Sequence, residues 1–123
     1  MEKVNLAQKF ALFSEHYKPK IVGELNDSLV KLVKLKGDFM WHHHDAEDEL
    51  FFVVTGELRM KTRENGVERE EVIRPGEFII IPHGVEHFPS ADEETHIMLL
   101  EPKSTLNTGN VENERTVAEL QRI

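Results

Sequence analysis

Apolar positions in this chain recur at two periods, and the change from one to the other divides it. In "NLAQKFALFSEHY", Leu6, Phe10 and Phe13 stand at helical spacing behind Asn5, whose side chain is suited to cap the first turn with Gln8 answering it. The pattern predicts a short amphipathic helix. From Ile21 onward the texture becomes short runs of Val, Ile, Leu and Phe broken by Asn-Asp, Gly-Asp, Asn-Gly and Pro-Gly. In "SLVKLVKLKG", Leu29, Lys31, Val33 and Leu35 share one face and Val30, Leu32, Lys34 and Lys36 the other, so neither face is cleanly apolar. Such a strand is expected between two layers.

"ELRMKTRENGVEREEVI" reads as a hairpin in which Asn65-Gly66 supplies the positive φ angles of a two-residue turn, and its charged strands are expected at a sheet edge. "EFIII" reads as a buried strand between Pro75-Gly76 and the turn at Pro82 and Gly84, and "THIMLLEP" as the last strand. Past Pro102 the chain turns polar, and "ERTVAELQRI" suggests a C-terminal helix. Roughly seven or eight short strands with turns about every 8 to 12 residues predict an all-β sandwich or barrel. At 123 residues this fits one domain, 1–123, with a barrel core over about 21–101.

Charge narrows the partners. Fifteen basic against twenty-three acidic side chains give a net charge of −8, which repels phosphate backbones and excludes a basic stripe for nucleic acid. No apolar run is long enough to cross a bilayer as a helix. Glu2, Lys3, Lys9 and Glu15 interrupt what would be the apolar region of a secretory signal, so a cytoplasmic location is expected. The chain has no cysteine, so any metal must be held by imidazole and carboxylate, and seven histidines are available.

The chemistry concentrates in "WHHHDAEDELFFVVTG". In an extended segment His42 and His44 point the same way and His43 the opposite way. Glu49 opens the following strand as a third ligand, and His87, just beyond the turn in "PHGVEHF", offers a fourth to the same centre. Imidazoles with one carboxylate suit a divalent transition metal, Fe, Mn, Ni or Zn, and can leave positions open for a small-molecule substrate. His83, in the turn, is expected to be structural or solvent-facing, and Asp45, Glu47 and Asp48 to form a solvated acidic loop. Met40, Phe51, Val53 and Met60 share interior parity with His42 and Glu49 and are expected to line a pocket or the core. Phe88 and Trp41 are expected at its mouth. No arginine or lysine is clearly aimed inward; Arg59 and Lys61 are the nearest, on a hairpin that should face water.

Two segments resemble the two signature motifs of the cupin family. The first runs Gly37, four residues, His42-His43-His44, four residues, Glu49, six residues, Gly56, one residue shorter than usual after its first glycine. The second runs Gly76, five residues, Pro82-His83-Gly84, two residues, His87, three residues, Ala91, where the family often has asparagine. The resemblance implies a jelly-roll barrel, the double-stranded β-helix, with His42, His44, Glu49 and His87 on the family's metal positions. It is to small single-domain cupins, some of them labelled as related to mannose-6-phosphate isomerase. The lack of an inward cation counts against a phosphate-sugar pocket. Two functions follow as expectations. One is a metal-dependent enzyme on a small organic molecule, of dioxygenase or isomerase type, with no separate general base visible. The other is a non-catalytic sugar- or metabolite-binding module whose metal is structural. Exposed sheet edges in so small a barrel suggest a homodimer.

Overall fold

The computed structural model describes all 123 residues, with one short helix and seven antiparallel strands. Helix α1, Leu6–Phe10, begins where Asn5 accepts the amide of Gln8, and it buries Phe10. The strands are β1 (Lys20–Leu25), β2 (Ser28–Asp38), β3 (Glu49–Thr55), β4 (Leu58–Glu64), β5 (Val67–Ile73), β6 (Phe78–Ile81) and β7 (Glu86–Pro102). They run in the order β1-β2-β7-β3-β6, with β4 between β5 and β7. No helix is long and apolar enough to cross a membrane.

Strand β7 holds the two halves together. Its first part pairs with β4, from Arg63↔Glu86 to Arg59↔Ser90, and its last part with β3, from Thr55↔His96 to Leu50↔Leu100. Strand β2 lies along its other side over nearly the whole length, from Asp38↔Ser90 to Ser28↔Pro102. Its inward residues Ala91, Ile97 and Leu99 join Val33, Phe51, Val53 and Met60 in a continuous apolar core. The expected last strand is therefore longer than "THIMLLEP", because "EHFPS" finds a partner in β4.

The two-sided burial of β2 is as expected. Leu32 is fully buried on the outer face, where Lys34 Nζ donates to the carbonyl of Phe13 and lies over its ring. The segment after α1 is that outer layer. Hairpin β4–β5 pairs Glu64 with Val67 across Asn65-Gly66, both with φ > 0, and β5 has no partner beyond β4.

Two expectations are corrected. Strand β6 is not buried: it pairs only with β3, and Phe78 and Ile80 remain more than half exposed on its outer side. No helix forms in the C-terminal segment. Its polar side chains bond within an irregular turn structure instead, Asn107 to the amide of Val117 and the carbonyl of Arg115, and Thr108 to Thr116. The segment ends beside β1, where the amide of Ile21 donates to Gln121 and that of Ile123 to Ile21.

Candidate metal centre

Each histidine of the triplet is held by a different part of the chain. His42 exchanges both backbone hydrogen bonds with His87, at 3.1 and 2.8 Å, so two imidazoles stand directly across a two-residue bridge. His43 donates its amide to Asn110 Oδ1 at 2.8 Å and accepts the amide of Asn110 at 3.0 Å. The carbonyl of His44 accepts the amide of Gly84 at 2.7 Å. These contacts set the alternation that local extension predicts: His42 and His44 point inward and are buried, while the His43 ring turns outward to Asp45.

The four inward side chains meet. One ligand atom from each of His42, His44, Glu49 and His87 falls within 4.8 Å of every other, and all four residues are buried. Glu49 Oε1 is 2.7 Å from His44 Nε2 and 3.0 Å from His87 Nε2. The Nδ1 atoms of His42 and His87 face the carbonyls of Met40 and Val85 at 3.0 and 2.9 Å. Donation of Nδ1–H to those carbonyls leaves each Nε2 as a lone pair directed at the common point.

The donor set fits a divalent cation. Both ring nitrogens of His44 are buried without a hydrogen-bond partner, since its close approach to Glu49 is not along a hydrogen-bonding direction. A buried ring nitrogen with no partner costs about 1–3 kcal/mol, a penalty that a cation at the convergence point removes for the nitrogen facing it. Burial, with the adjacent His87, pushes His42 down to about 4, so it is neutral near pH 7 and able to ligate. Burial raises the carboxyl of Glu49, but the neighbouring Glu101, His44 and His87 outweigh it and hold Glu49 well below the usual range.

A narrow cavity of about 40 Å³ adjoins the cluster, with His42 and Glu49 in its wall and Tyr17, Val33, Phe39, Phe51, Leu99, Glu101 and Asn107 around them. Of the expected lining residues only Phe51 is there. Met60 is fully buried in the apolar core, and Met40 turns outward to Asn113. Phe88 packs against Trp41, over which Arg63 lies at 4.0 Å. Arg59 pairs with Asp92, and His96 stacks on Phe10. Asp48 is less free than an acidic loop suggests: one of its oxygens accepts the amide of the exposed His83 and lies 2.8 Å from its ring nitrogen, tying the two motifs together.

Sequence reasoning missed the buried ion pair beside the cavity, whose wall includes Glu101. Lys31 is an inward cation, 2% exposed, and its Nζ is 2.7 Å from Glu101 Oε1. Parity was the available signal: Lys31 alternates with Leu29 and Val33, and Glu101 with Leu99 and Ile97.

Residues 30–101 match the cupin domain family. The chain belongs to the cupin family. A cupin-2 domain containing protein from Shewanella frigidimarina, known from a crystal structure, is 42% identical, with a TM-score of 0.76 over 81% of this chain and 94% of that one. The acireductone dioxygenase of Bacillus subtilis is 29% identical over 67% of this chain and 47% of its own length. The 3-hydroxyanthranilate 3,4-dioxygenase of Xanthomonas oryzae is 40% identical over 39% of this chain and 27% of its own. This cupin thus spans about half or less of those two dioxygenases. The match and the geometry agree on a jelly-roll barrel carrying a His/Glu cluster that could hold a metal.

Proposed function

We propose that this cupin is a metal-dependent enzyme of dioxygenase type acting on a small organic molecule, with His42, His44, Glu49 and His87 as its metal ligands. The observation that carries this reading is the convergence of three neutral-capable imidazoles and one carboxylate beside an apolar-walled cavity. The similarity to two dioxygenases supports it. A bound Fe, Mn, Ni or Zn ion would offer open positions for a chelating substrate and, where it is iron, for dioxygen. The residues of this chain do the rest. Val33, Phe39, Phe51 and Leu99 keep the centre dry and shape a pocket for a flat apolar body, while the backbone anchors of the histidine triplet keep the ligands in place.

The size of the cavity favours a second reading, a binding module whose metal is closed by four protein ligands. About 40 Å³ holds only a few waters, well short of the roughly 300 Å³ at which drug-sized pockets begin.

The first experiment measures metal content in protein purified without a histidine tag, wild type against the double variant His42→Ala/His87→Ala. Stoichiometric metal lost in the variant supports the site. Oxygen uptake with acireductone and 3-hydroxyanthranilate then tests the dioxygenase. Absence of metal after reconstitution would sink both readings, whereas bound metal with no open position and no uptake would leave the binding module. The same proposal places the protein in the cytoplasm as a homodimer. The exposed edge of β6 supports the dimer, and sedimentation equilibrium tests it.

A further inference from the structure

Lys31, Glu101 and Glu49 stand on three neighbouring strands, β2, β7 and β3. The pairings Leu29↔Glu101 and Lys31↔Leu99 on one side and Leu50↔Leu100 on the other bring them into one lateral row on the interior face. At the first joint Lys31 Nζ donates to Glu101 Oε1 at 2.7 Å, with both side chains 2% exposed. At the second, the antiparallel register at Leu50↔Leu100 sets Glu49 directly opposite Glu101, and both carboxyls are buried in the wall of the same cavity. Glu101 Oε2 is fully buried and has no hydrogen-bond partner. At the far end Glu49 Oε1 faces His44 and His87.

Such a row is costly to build. Two carboxyls and one ammonium are taken out of water, and apolar residues of similar volume at 31 and 101 would usually serve stability as well or better. Packing therefore does not explain the pair. Its place does: Glu101 stands opposite Glu49, where it can keep the Glu49 carboxyl from rotating away from the imidazoles.

We infer that Glu101, itself fixed by Lys31, is a positioning residue of the metal centre, holding the Glu49 carboxyl by a hydrogen bond so that Oε1 faces His44 and His87. The inference rests on the metal reading above. A hydrogen bond between two carboxyls needs a donor on one of them, and the amide N–H of a glutamine at 101 can fill that role. A leucine cannot. Glutamine and leucine at 101 thus separate a hydrogen-bonding role from mere occupancy of the space.

The test uses full-length metal-free protein with Zn2+, titrated against a chromophoric chelator, and with Co2+, whose visible absorption reports on the ligand set. Glu101→Gln is expected to bind Zn2+ within about threefold of wild type and to keep its Co2+ spectrum, while loss of the donor weakens Zn2+ binding by about 10–100-fold and changes the spectrum. Glu101→Leu alone strands a buried ammonium and can fail to fold. Lys31→Met/Glu101→Leu removes both charges and carries the test, with its thermal unfolding checked alongside. Wild-type affinity and spectrum in the double variant would overturn the inference. Glutamine as damaging as leucine would also overturn it, because the charge and not the hydrogen bond would then matter. If wild type itself binds neither ion, the metal reading fails and this one falls with it.

Discussion

Gly109→Ala tests whether the C-terminal segment holds the histidine triplet in place. Gly109 has φ +57, and a Cβ there would lie 2.2 Å from the carbonyl oxygen of His43, 3.0 Å from its carbonyl carbon and 3.2 Å from His42 Cδ2. An ordinary contact to that oxygen is about 1 Å longer, and the atoms in the way are backbone, so the segment must lift. The left-handed conformation costs an alanine about 1–2 kcal/mol. Lifting also breaks the two hydrogen bonds between Asn110 and His43, at about 1 kcal/mol each, for a total of about 3–4 kcal/mol. Gly66→Ala is the control. Gly66 has φ +77 and nothing within 4 Å of the added atom, so only the backbone cost of about 1–2 kcal/mol applies. Hydrogen exchange reads the result locally: the amides of His43 and Asn110 should exchange faster by about two orders of magnitude or more in Gly109→Ala and be unchanged in Gly66→Ala. Zn2+ affinity should fall in the first variant alone. Unchanged exchange at His43 and Asn110 would refute the reasoning, since it would show the segment yielding without letting go.

His43→Ala should leave Zn2+ affinity within about twofold, because its ring points outward and its anchors are backbone; a loss of about tenfold or more would make His43 a ligand and the chosen set wrong. His42 should make the metal-free protein acid-sensitive. Its folded value of about 4 lies below the ordinary 6.5, so between these values the unfolded chain takes up a proton that the folded one does not. The stability present above pH 6.5 is then lost on acidification, by about 3 kcal/mol at pH 4. Urea unfolding at pH 7 and 4.5 should show a smaller loss in His42→Gln, and equal losses would count against the assignment. Met60→Ala, at a fully buried core position away from the cavity, should cost about 2–5 kcal/mol in urea while leaving Zn2+ affinity unchanged; weakened binding would place Met60 at the site after all.

The parts of the fold that depend on local chemistry could be read from the chain. Asn65-Gly66 names its turn because only certain residues accept positive φ at both positions, and the histidine spacing names its shared face because a strand alternates. What depends on distant neighbours was hidden. "EFIII" is apolar but for its glutamate, yet no layer covers the outer face, where Phe78 and Ile80 stay exposed, and nothing within the segment announces that. Lys31 shares a face with Leu29, Val33 and Leu35, but its partner Glu101 lies seventy residues away, and no local pattern pairs the two. The C-terminal segment has no periodicity to reveal its path. Its contacts are made by single amides and two guanidinia, Arg115, which donates to the carbonyls of Asp38 and Phe39, and Arg122, which donates to Glu24.

Strand β7 carries His87 near its start and Glu101 near its end, an even number of residues apart, with both side chains buried. Adding or deleting one residue between them would invert the parity of one relative to the other, sending either the imidazole or the carboxyl out to solvent. The strand therefore acts as a ruler whose length is quantised in steps of two. Variation among chains of this architecture should then accumulate in the hairpin tips and the acidic loop, where added residues cost little, while indels in β7 survive only in pairs or where a bulge absorbs the odd residue.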